Sequence, residues 1–279
     1  MIKTIRSSIV HVSSWKGDLR TIMSFLFGAV LVCMCGYPYI KFACFARSEI
    51  QAFELYIICG SSGYSFLALL LGNILLLSNA PFVDEITTYE ILRLGKSRWV
   101  NSKILYLVSS CIAYSVFLLI VSVIFSLFKG NVVFINEWSY AMKELAFKQP
   151  TYAIESFRVA FSHGNFIASV NPYTAVTLTV VCNSAYAVII CLLMMSINLV
   201  SRHNLGWLIA GVVHICGYII FVNSGFLFPT KYSLFCHGLP AYYFESQNGF
   251  SIVGTISFVL AVFLVLWEIG IYGCKRKQL

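Results

Sequence analysis

One polar stretch between apolar runs has its acidic and basic residues grouped separately. From Pro81 to Lys103 the sequence reads PFVDEITTYEILRLGKSRWVNSK, with acidic residues first and basic residues after them. This order complements the dipole of a short helix, because acidic side chains are stabilised at a helix N-terminus and basic ones at its C-terminus. We predict an amphipathic helix along the membrane surface that begins after Pro81 and ends at Gly95. Such a helix suits contact with a soluble partner, although an ordinary charged loop between spans has a similar pattern.

A second set of polar side chains lies inside long apolar runs. Asn73, Asn183 and His214 fall near mid-span depth, and Tyr218 falls nearer a span end. Because buried amides and imidazoles are unfavourable against lipid, we expect them to face other helices or a substrate path. Substrate contact and hydrogen bonding between helices explain these four residues equally well. Glu268 is close enough to the basic C-terminal residues for its carboxylate to snorkel towards them or to pair with them.

We find no motif for catalysis, metal binding or nucleotide binding. Gly95-Lys96-Ser97 resembles the end of a phosphate-binding loop, but Glu90 stands where that motif requires its first glycine. Most of the ten cysteines lie in apolar runs or at their ends, where cysteine behaves as a small hydrophobic residue. Cys44 and Cys236 are the two that could reach an outer face, and the sequence leaves their pairing open. We expect no catalytic residue, metal or cofactor in this chain.

The composition indicates an integral membrane protein. The chain has 279 residues, of which 59% are hydrophobic and 11% charged, and its mean hydropathy is +0.83. Soluble domains carry about a quarter charged residues. The net charge of +8 is explained by basic residues at the ends of spans, and no basic run has the length or aromatic interleaving of a nucleic-acid site. We therefore expect no nucleic-acid partner.

The sequence predicts an all-α membrane protein with a single transmembrane domain over residues 1–279. Residues 1–20 fit an interfacial N-terminal helix, and the sequence Gly36-Tyr37-Pro38 predicts the end of the first span. The loops at 129–171 and 226–249 lie on the opposite side from the charged segment 81–103, and Pro150 divides two short helices in the first of them. The six predicted spans cover about residues 21–40, 55–80, 104–128, 172–200, 207–225 and 250–273.

The distribution of basic residues along the sequence predicts how the protein is oriented in the membrane. Twelve of the nineteen Lys and Arg residues lie in the two termini, the segment 81–103 and the turn at 201–206. Because cytoplasmic loops are enriched in Lys and Arg, we expect both termini and the charged segment in the cytoplasm. The chain has no N-glycosylation sequon, which disfavours the secretory pathway and is neutral for a bacterial protein. We expect a multi-pass protein of a bacterial cell membrane.

The charged segment resembles a known family. Thr88-Tyr89-Glu90-Ile91-Leu92, then Gly95-Lys96-Ser97-Arg98-Trp99, then Lys103 at the head of the next span, is similar to the coupling-helix region of ABC exporter permeases of the second type. The layout of six spans, an interfacial N-terminal helix and a larger outer loop before span four is similar too. The motif covers about twenty residues, and Leu94-Gly95 stands where many members carry a proline.

The resemblance implies a permease subunit that couples to a separate ATPase. It would work as a homodimer or with a similar chain in a lipid membrane, with ATP and Mg²⁺ bound by the cytoplasmic ATPase subunits. The abundant Phe and Tyr residues favour an amphipathic or hydrophobic substrate such as a peptide, a lipid or a drug. The residues that the resemblance assigns to ATPase coupling are Asp84, Glu85, Tyr89, Glu90, Arg93, Lys96 and Arg98.

Two other functions fit the same layout. An immunity or sensory membrane protein would bind a toxin peptide or a lipid at the outer loops. A membrane-bound transferase would use polar residues at the cytoplasmic face, although the spacing of those residues singles out no active site.

Overall fold

The protein is a bundle of apolar helices. The computed structural model describes residues 15, 18–81, 87–201, 204–223, 233–244 and 252–276. The principal helices of the bundle are α1 (Leu19–Phe45), α2 (Glu54–Ser61), α3 (Gly63–Leu77), α4 (Thr87–Leu94), α5 (Lys96–Lys129), α9 (Pro172–Val200), α10 (Gly206–Val222) and α11 (Ile252–Arg276).

The lengths and hydropathies of these helices fit a membrane protein. Within the described ranges, α1, α5, α9 and α11 are each long and apolar enough to cross a membrane. The bent pair α2 and α3 makes a fifth crossing if it counts as one span, and α10 is apolar but has only 17 residues. The chain is therefore a mostly α-helical, membrane-type protein, and the six-span layout stays a prediction.

Helix α9 is the centre of the bundle. It packs against α2, α3, α5, α10 and α11. Short hydroxyl side chains allow this close packing and bond across it: the Ser184 hydroxyl donates to that of Ser115 over 2.9 Å, and the Ser196 hydroxyl donates to the carbonyl of Leu266 over 2.8 Å. Small polar residues serve the same purpose at helix contacts in lipid, where there is no hydrophobic drive for association.

The prediction that Gly36-Tyr37-Pro38 breaks the first helix is wrong. Helix α1 runs through Pro38 and ends at Phe45. Proline removes one helical hydrogen bond, but the residues after it are held by tertiary contacts. The Tyr39 hydroxyl donates to Glu54 over 2.7 Å, and the ring of Phe42 packs on those of Tyr152 and Phe157 at about 6 Å. This packing outweighs the local cost of the proline.

The second predicted span, residues 55–80, is not one straight helix. Helices α2 and α3 meet at Ser62 and bend by 91°. The Gly60 carbonyl at this break accepts a hydrogen bond of 3.2 Å from the Asn183 side chain, which replaces a partner that a continuous helix would supply. The third span also differs, because α5 begins at Lys96 and not at residue 104, so Trp99 and Lys103 belong to its first turns.

Residues 131–171 form a small loop module at the end of the bundle opposite α4. It contains β2 (Val132–Val133), α6 (Tyr140–Lys143) with the π-helical turn Glu144–Lys148, α7 (Thr151–Phe157) and α8 (Gly164–Ser169). Strand β2 pairs in parallel with β1 (Ile50–Gln51), which precedes α2. The helical turns on either side of Pro150 lie where the sequence predicts two short helices.

Two glycines let a tyrosine insert between helices. A β-carbon at Gly28 of α1 would lie 2.3 Å from the Tyr114 hydroxyl, and one at Gly72 of α3 would lie 1.8 Å from it. The hydroxyl of Ser24 donates to the Gly72 carbonyl over 2.7 Å at the same contact. Glycine at both positions is therefore required for α1, α3 and α5 to meet.

We predict that Gly72→Ala destabilises the bundle by about 2 kcal/mol, because the added methyl group overlaps the Tyr114 hydroxyl. SDS-induced unfolding in mixed micelles measures this change. Gly211→Ala is the matched control, since a β-carbon at Gly211 meets no atom within 4 Å. Equal stabilities of the two variants would contradict the close contact.

Candidate functional site

Helix α4 is a separate short helix that turns sharply into α5. Gly95 joins the two with φ of 80°, a left-handed conformation that favours glycine. Its amide donates to the Ile91 carbonyl over 2.7 Å, which closes the last turn of α4. The described part of the predicted surface helix therefore ends at Gly95, as the sequence predicts.

A buried ion pair fixes α4 to the first turns of α5. The Glu90 carboxylate oxygen Oε2 lies 3.4 Å from Nζ of Lys103 and accepts a hydrogen bond of 3.2 Å from the Trp99 indole. The Lys103 side chain has no exposed surface, and its ammonium lies 5.4 Å from the centre of the Trp99 ring. A buried ammonium needs such a partner, because desolvation without pairing is costly. We name Glu90, Trp99 and Lys103 the clamp.

The polypeptide leading to α4 is held as well. The Asn198 side chain of α9 donates to the Ala80 carbonyl over 2.7 Å and accepts from the Gly206 amide over 2.7 Å. One amide therefore ties together the segment after α3, the end of α9 and the beginning of α10.

The opposite face of α4 is exposed. Thr87 and Ile91 are buried against the bundle, whereas Tyr89 is 74% exposed and Leu92 is 79% exposed. Arg93 is exposed beside them. The three- and four-residue spacing of positions 89, 92 and 93 puts these side chains on one face. We name Tyr89, Leu92 and Arg93 the α4 face.

The structure divides the residues that the resemblance assigns to coupling. Tyr89, Arg93 and Arg98 are exposed. Glu90 bonds inward to the clamp, and the Lys96 ammonium donates to the Lys275 carbonyl over 3.4 Å. Asp84 and Glu85 lie outside the described residues.

Three of the four polar candidates within the spans meet around a buried segment, residues 233–244. The Asn183 side chain donates to the Gly238 carbonyl over 2.7 Å. His214 and Tyr218 both pack on the ring of Phe235, with ring centroids 5.5 and 5.7 Å away. Burial also raises the pKa of the Tyr243 phenol well above its usual range, so its hydroxyl stays protonated and donates to the His237 carbonyl over 2.7 Å.

The imidazole of His214 is a cross-link between helices. Its Nε2 lies 3.0 Å from the Leu67 carbonyl, which can only accept, so Nε2 carries the proton. Its Nδ1 then accepts from the Tyr186 hydroxyl at 2.9 Å. Both nitrogens of a neutral ring are used, as in a structural histidine. Asn183 and His214 thus follow the hydrogen-bonding interpretation of the sequence pattern.

Asn73 differs from the other three residues. Its side chain is 4% exposed and its Oδ1 has no hydrogen-bond partner. It lies on α3 facing α9, where the Cys191 thiol contacts the Asn73 backbone carbonyl at 3.9 Å. The amide is inside a single bundle and does not lie on its outer surface.

Sequence reasoning missed the most fully bonded carboxylate of the described chain. Glu54 has no exposed surface. Its carboxylate accepts hydrogen bonds from the Tyr39 hydroxyl, from the backbone amide of Gln51 over 3.0 Å and from the backbone amide of Ser139 over 2.7 Å. It therefore joins α1, β1, α2 and the loop module. The available signal was its position, directly before the apolar run LYIICG, where an acidic residue is expensive without partners.

The described residues contain no group of three or more His, Cys, Asp or Glu side chains with the geometry to hold a metal ion. Cys44 is exposed and Cys236 is buried, and no disulfide joins them. Comparison with protein families, curated proteins and solved structures finds no match to this chain. What the structure does show at α4 is an exposed face on a short helix that the clamp holds against α5.

We predict that Glu90→Ala destabilises the protein by about 3 kcal/mol, because it removes the carboxylate that lies 3.4 Å from the buried Lys103 ammonium. In the double variant Glu90→Ala with Lys103→Met, no charge remains buried, so most of the lost stability returns. SDS-induced unfolding of the two single variants and the double variant completes a double-mutant cycle. Additive losses would show that the pair is not coupled.

We predict opposite effects for two buried asparagines. Asn73→Leu raises stability by about 1 kcal/mol, because it removes a buried amide oxygen that has no hydrogen-bond partner. Asn183→Leu lowers stability by about 2 kcal/mol, because it leaves two backbone carbonyls without their donor. Thermal unfolding in detergent measures both changes. A loss at Asn73 as large as that at Asn183 would mean that its amide is paired in the membrane.

Proposed function

We propose that this chain is the membrane-spanning permease subunit of an ATP-driven exporter of the second ABC type, in which α4 is the coupling helix. One observation carries the proposal: α4 is clamped to α5 by a buried ion pair while its far face is exposed. A rigid helix of this kind converts contact with a soluble partner into movement of the helices that hold it.

The α4 face has the composition of a protein contact. Tyr89 and Leu92 offer apolar area, and Arg93 offers a charge that selects an acidic counterpart. Tyr and Arg are enriched among the residues that dominate interface energies. Because Glu90 bonds inward, register with the partner is set by Arg93 and Arg98 and not by Glu90.

The clamp makes α4 and the beginning of α5 a single body. A force on Tyr89 reaches Lys103 without passing through a flexible loop, since Gly95 is bridged by the contacts of Glu90 with Trp99 and Lys103. The Asn198 bonds carry the same movement to α9 and α10. Rocking of the bundle between two arrangements would follow ATP-driven closure of the partner.

The remaining parts of the exporter are supplied by other chains. Two cytoplasmic ATPase subunits bind ATP and Mg²⁺, and a second permease copy, or a similar chain, completes the path in a bacterial cell membrane. Six spans from each chain give twelve, with both termini in the cytoplasm. The path runs between the two bundles, because Asn73, Asn183 and His214 are enclosed within one bundle. An apolar wall of this kind favours an amphipathic or hydrophobic cargo, such as a peptide, a lipid or a drug.

A photo-crosslinking residue in place of Tyr89 tests the proposal in native membranes. The expected product joins this chain to an ABC ATPase, identified by mass spectrometry. Tyr89→Ala combined with Arg93→Glu is expected to weaken co-purification of that ATPase about thirtyfold, the effect of removing about 2 kcal/mol at an interface. The unfolding curve of the variant should stay unchanged, because both side chains are exposed.

Arg158→Glu is the control, since Arg158 is an exposed arginine of the loop module at the other end of the bundle. Accessibility of position 89 to a membrane-impermeant reagent from outside the cell would refute the proposal. A chain that is active alone, with no ATPase bound, would support instead an immunity or sensory protein, or a transferase.

A further inference from the structure

We propose that the groove between α5 and α11, at the α4 end of the bundle, binds an acidic phospholipid. The phosphate and acidic headgroup would lie among Arg98, Lys275 and Arg276, and an acyl chain would follow the groove towards the loop module. The site requires only that the protein lies in a membrane, so it is independent of any ATPase.

Two polar contacts hold the walls of the groove together. The Lys96 ammonium donates to the carbonyl of Lys275 in the last turn of α11, over 3.4 Å. Further from the α4 end, the Trp267 indole donates to the Asn101 side-chain oxygen over 2.8 Å at the surface of the bundle. The second contact lies five residues further along α5, about 7.5 Å at 1.5 Å per residue. The headgroup region of the groove therefore has a fixed base.

The mouth of the groove is strongly basic. Arg98, Lys275 and Arg276 are exposed, and Lys96 is half-buried beside them. Two acidic residues are described at this end on α4, α5 and α11, and one of them, Glu90, is neutralised by Lys103. Basic clusters directly beyond a membrane helix attract acidic lipids by about 1 kcal/mol per cation near the surface.

The groove becomes apolar beyond the indole. On α5, Leu105 and Ile112 are 39% and 45% exposed, and they share a face with Asn101 by three- and four-residue spacing. On α11, Leu260 and Leu264 are 54% and 49% exposed and share a face with Trp267. Tryptophan is typical of the level between headgroups and hydrocarbon. The order of cations, indole and aliphatic side chains matches the order of headgroup, glycerol and acyl chain.

The chemistry selects an acidic lipid over other anions and over zwitterionic lipid. A free phosphate ion would contact the cations but leave the aliphatic part of the groove uncovered. Phosphatidylcholine has an acyl chain and a phosphate, but its quaternary ammonium is repelled by Arg98 and Lys275. Phosphatidylglycerol has no cation and keeps the full attraction.

Glu268 is the second acidic residue described at this end. It tests whether removing a negative charge has the opposite effect on lipid binding to removing a positive one. It is exposed one residue after Trp267, seven residues before Lys275 on the same side of α11. Its carboxylate repels an anionic headgroup that moves deeper than the basic mouth. Neutralising Glu268 should therefore strengthen the binding that neutralising Arg98 or Lys275 weakens.

Native mass spectrometry of the purified chain, titrated with phosphatidylglycerol or with phosphatidylcholine of the same acyl chains, tests the site. We expect the wild type to retain phosphatidylglycerol preferentially. Arg98→Gln and Lys275→Gln should each lower its affinity about fivefold, in proportion to the charge removed, and Glu268→Gln should raise it by a similar factor. Phosphatidylcholine binding should change in none of these variants.

Arg158→Gln combined with Lys143→Gln is the matched control, because it removes one Arg and one Lys from exposed positions of the loop module. The control should bind phosphatidylglycerol like the wild type. Equal retention of the two lipids by the wild type would overturn the proposal. An equal loss in the control would also overturn it, because it would indicate attraction by net charge alone. A loss in Glu268→Gln would overturn it too, because removal of a negative charge beside the site must strengthen binding if the headgroup lies there.

Discussion

The buried ion pair between Glu90 and Lys103 is the contact on which the α4 end of the bundle depends. A lysine without exposed surface is unfavourable unless a carboxylate accompanies it, and Glu90 of α4 supplies one at 3.4 Å. The requirement fixes the distance and the angle between the two helices. Trp99 fills the space between them and adds its own hydrogen bond to Glu90. A short helix of which only Thr87 and Ile91 are buried is thereby tied to the beginning of α5.

Much of the helical framework follows from apolar runs and their boundaries. The run from residue 172 to 200 matches α9 because Pro172 opens it and Asn171 accepts from the Thr174 amide, a standard N-terminal cap. The passage of α1 through Pro38 and the bend at Ser62 could not be predicted in this way. Both depend on partners distant in sequence, such as Glu54 for Tyr39 and Asn183 for Gly60, that no local pattern identifies.

The candidate site was predictable in its position but not in its contacts. The order of charges from residue 81 to 103 predicts a short helix there, and Gly95 marks the end of α4. Which charges face outward depends on where α5 begins, and α5 begins eight residues earlier than the apolar run suggests. Because Lys103 lies within α5, Glu90 faces inward and pairs with it, whereas Arg93 is exposed. The polar residues of the spans were predicted as one group. In the structure some are hydrogen-bonded cross-links, and one has an amide oxygen without a partner. Sequence could not separate them, because their partners are mostly backbone carbonyls.

The carboxylate of Glu54 also imposes an order on biosynthesis. One of its three donors, the amide of Ser139, lies 85 residues further along the chain. When the ribosome has delivered α2 to the membrane, that donor does not yet exist, and an ionised side chain with incomplete partners remains in contact with water. The buried bonding of Glu54 is therefore complete only after the segment that carries Ser139 has been synthesised and has packed against the beginning of α2.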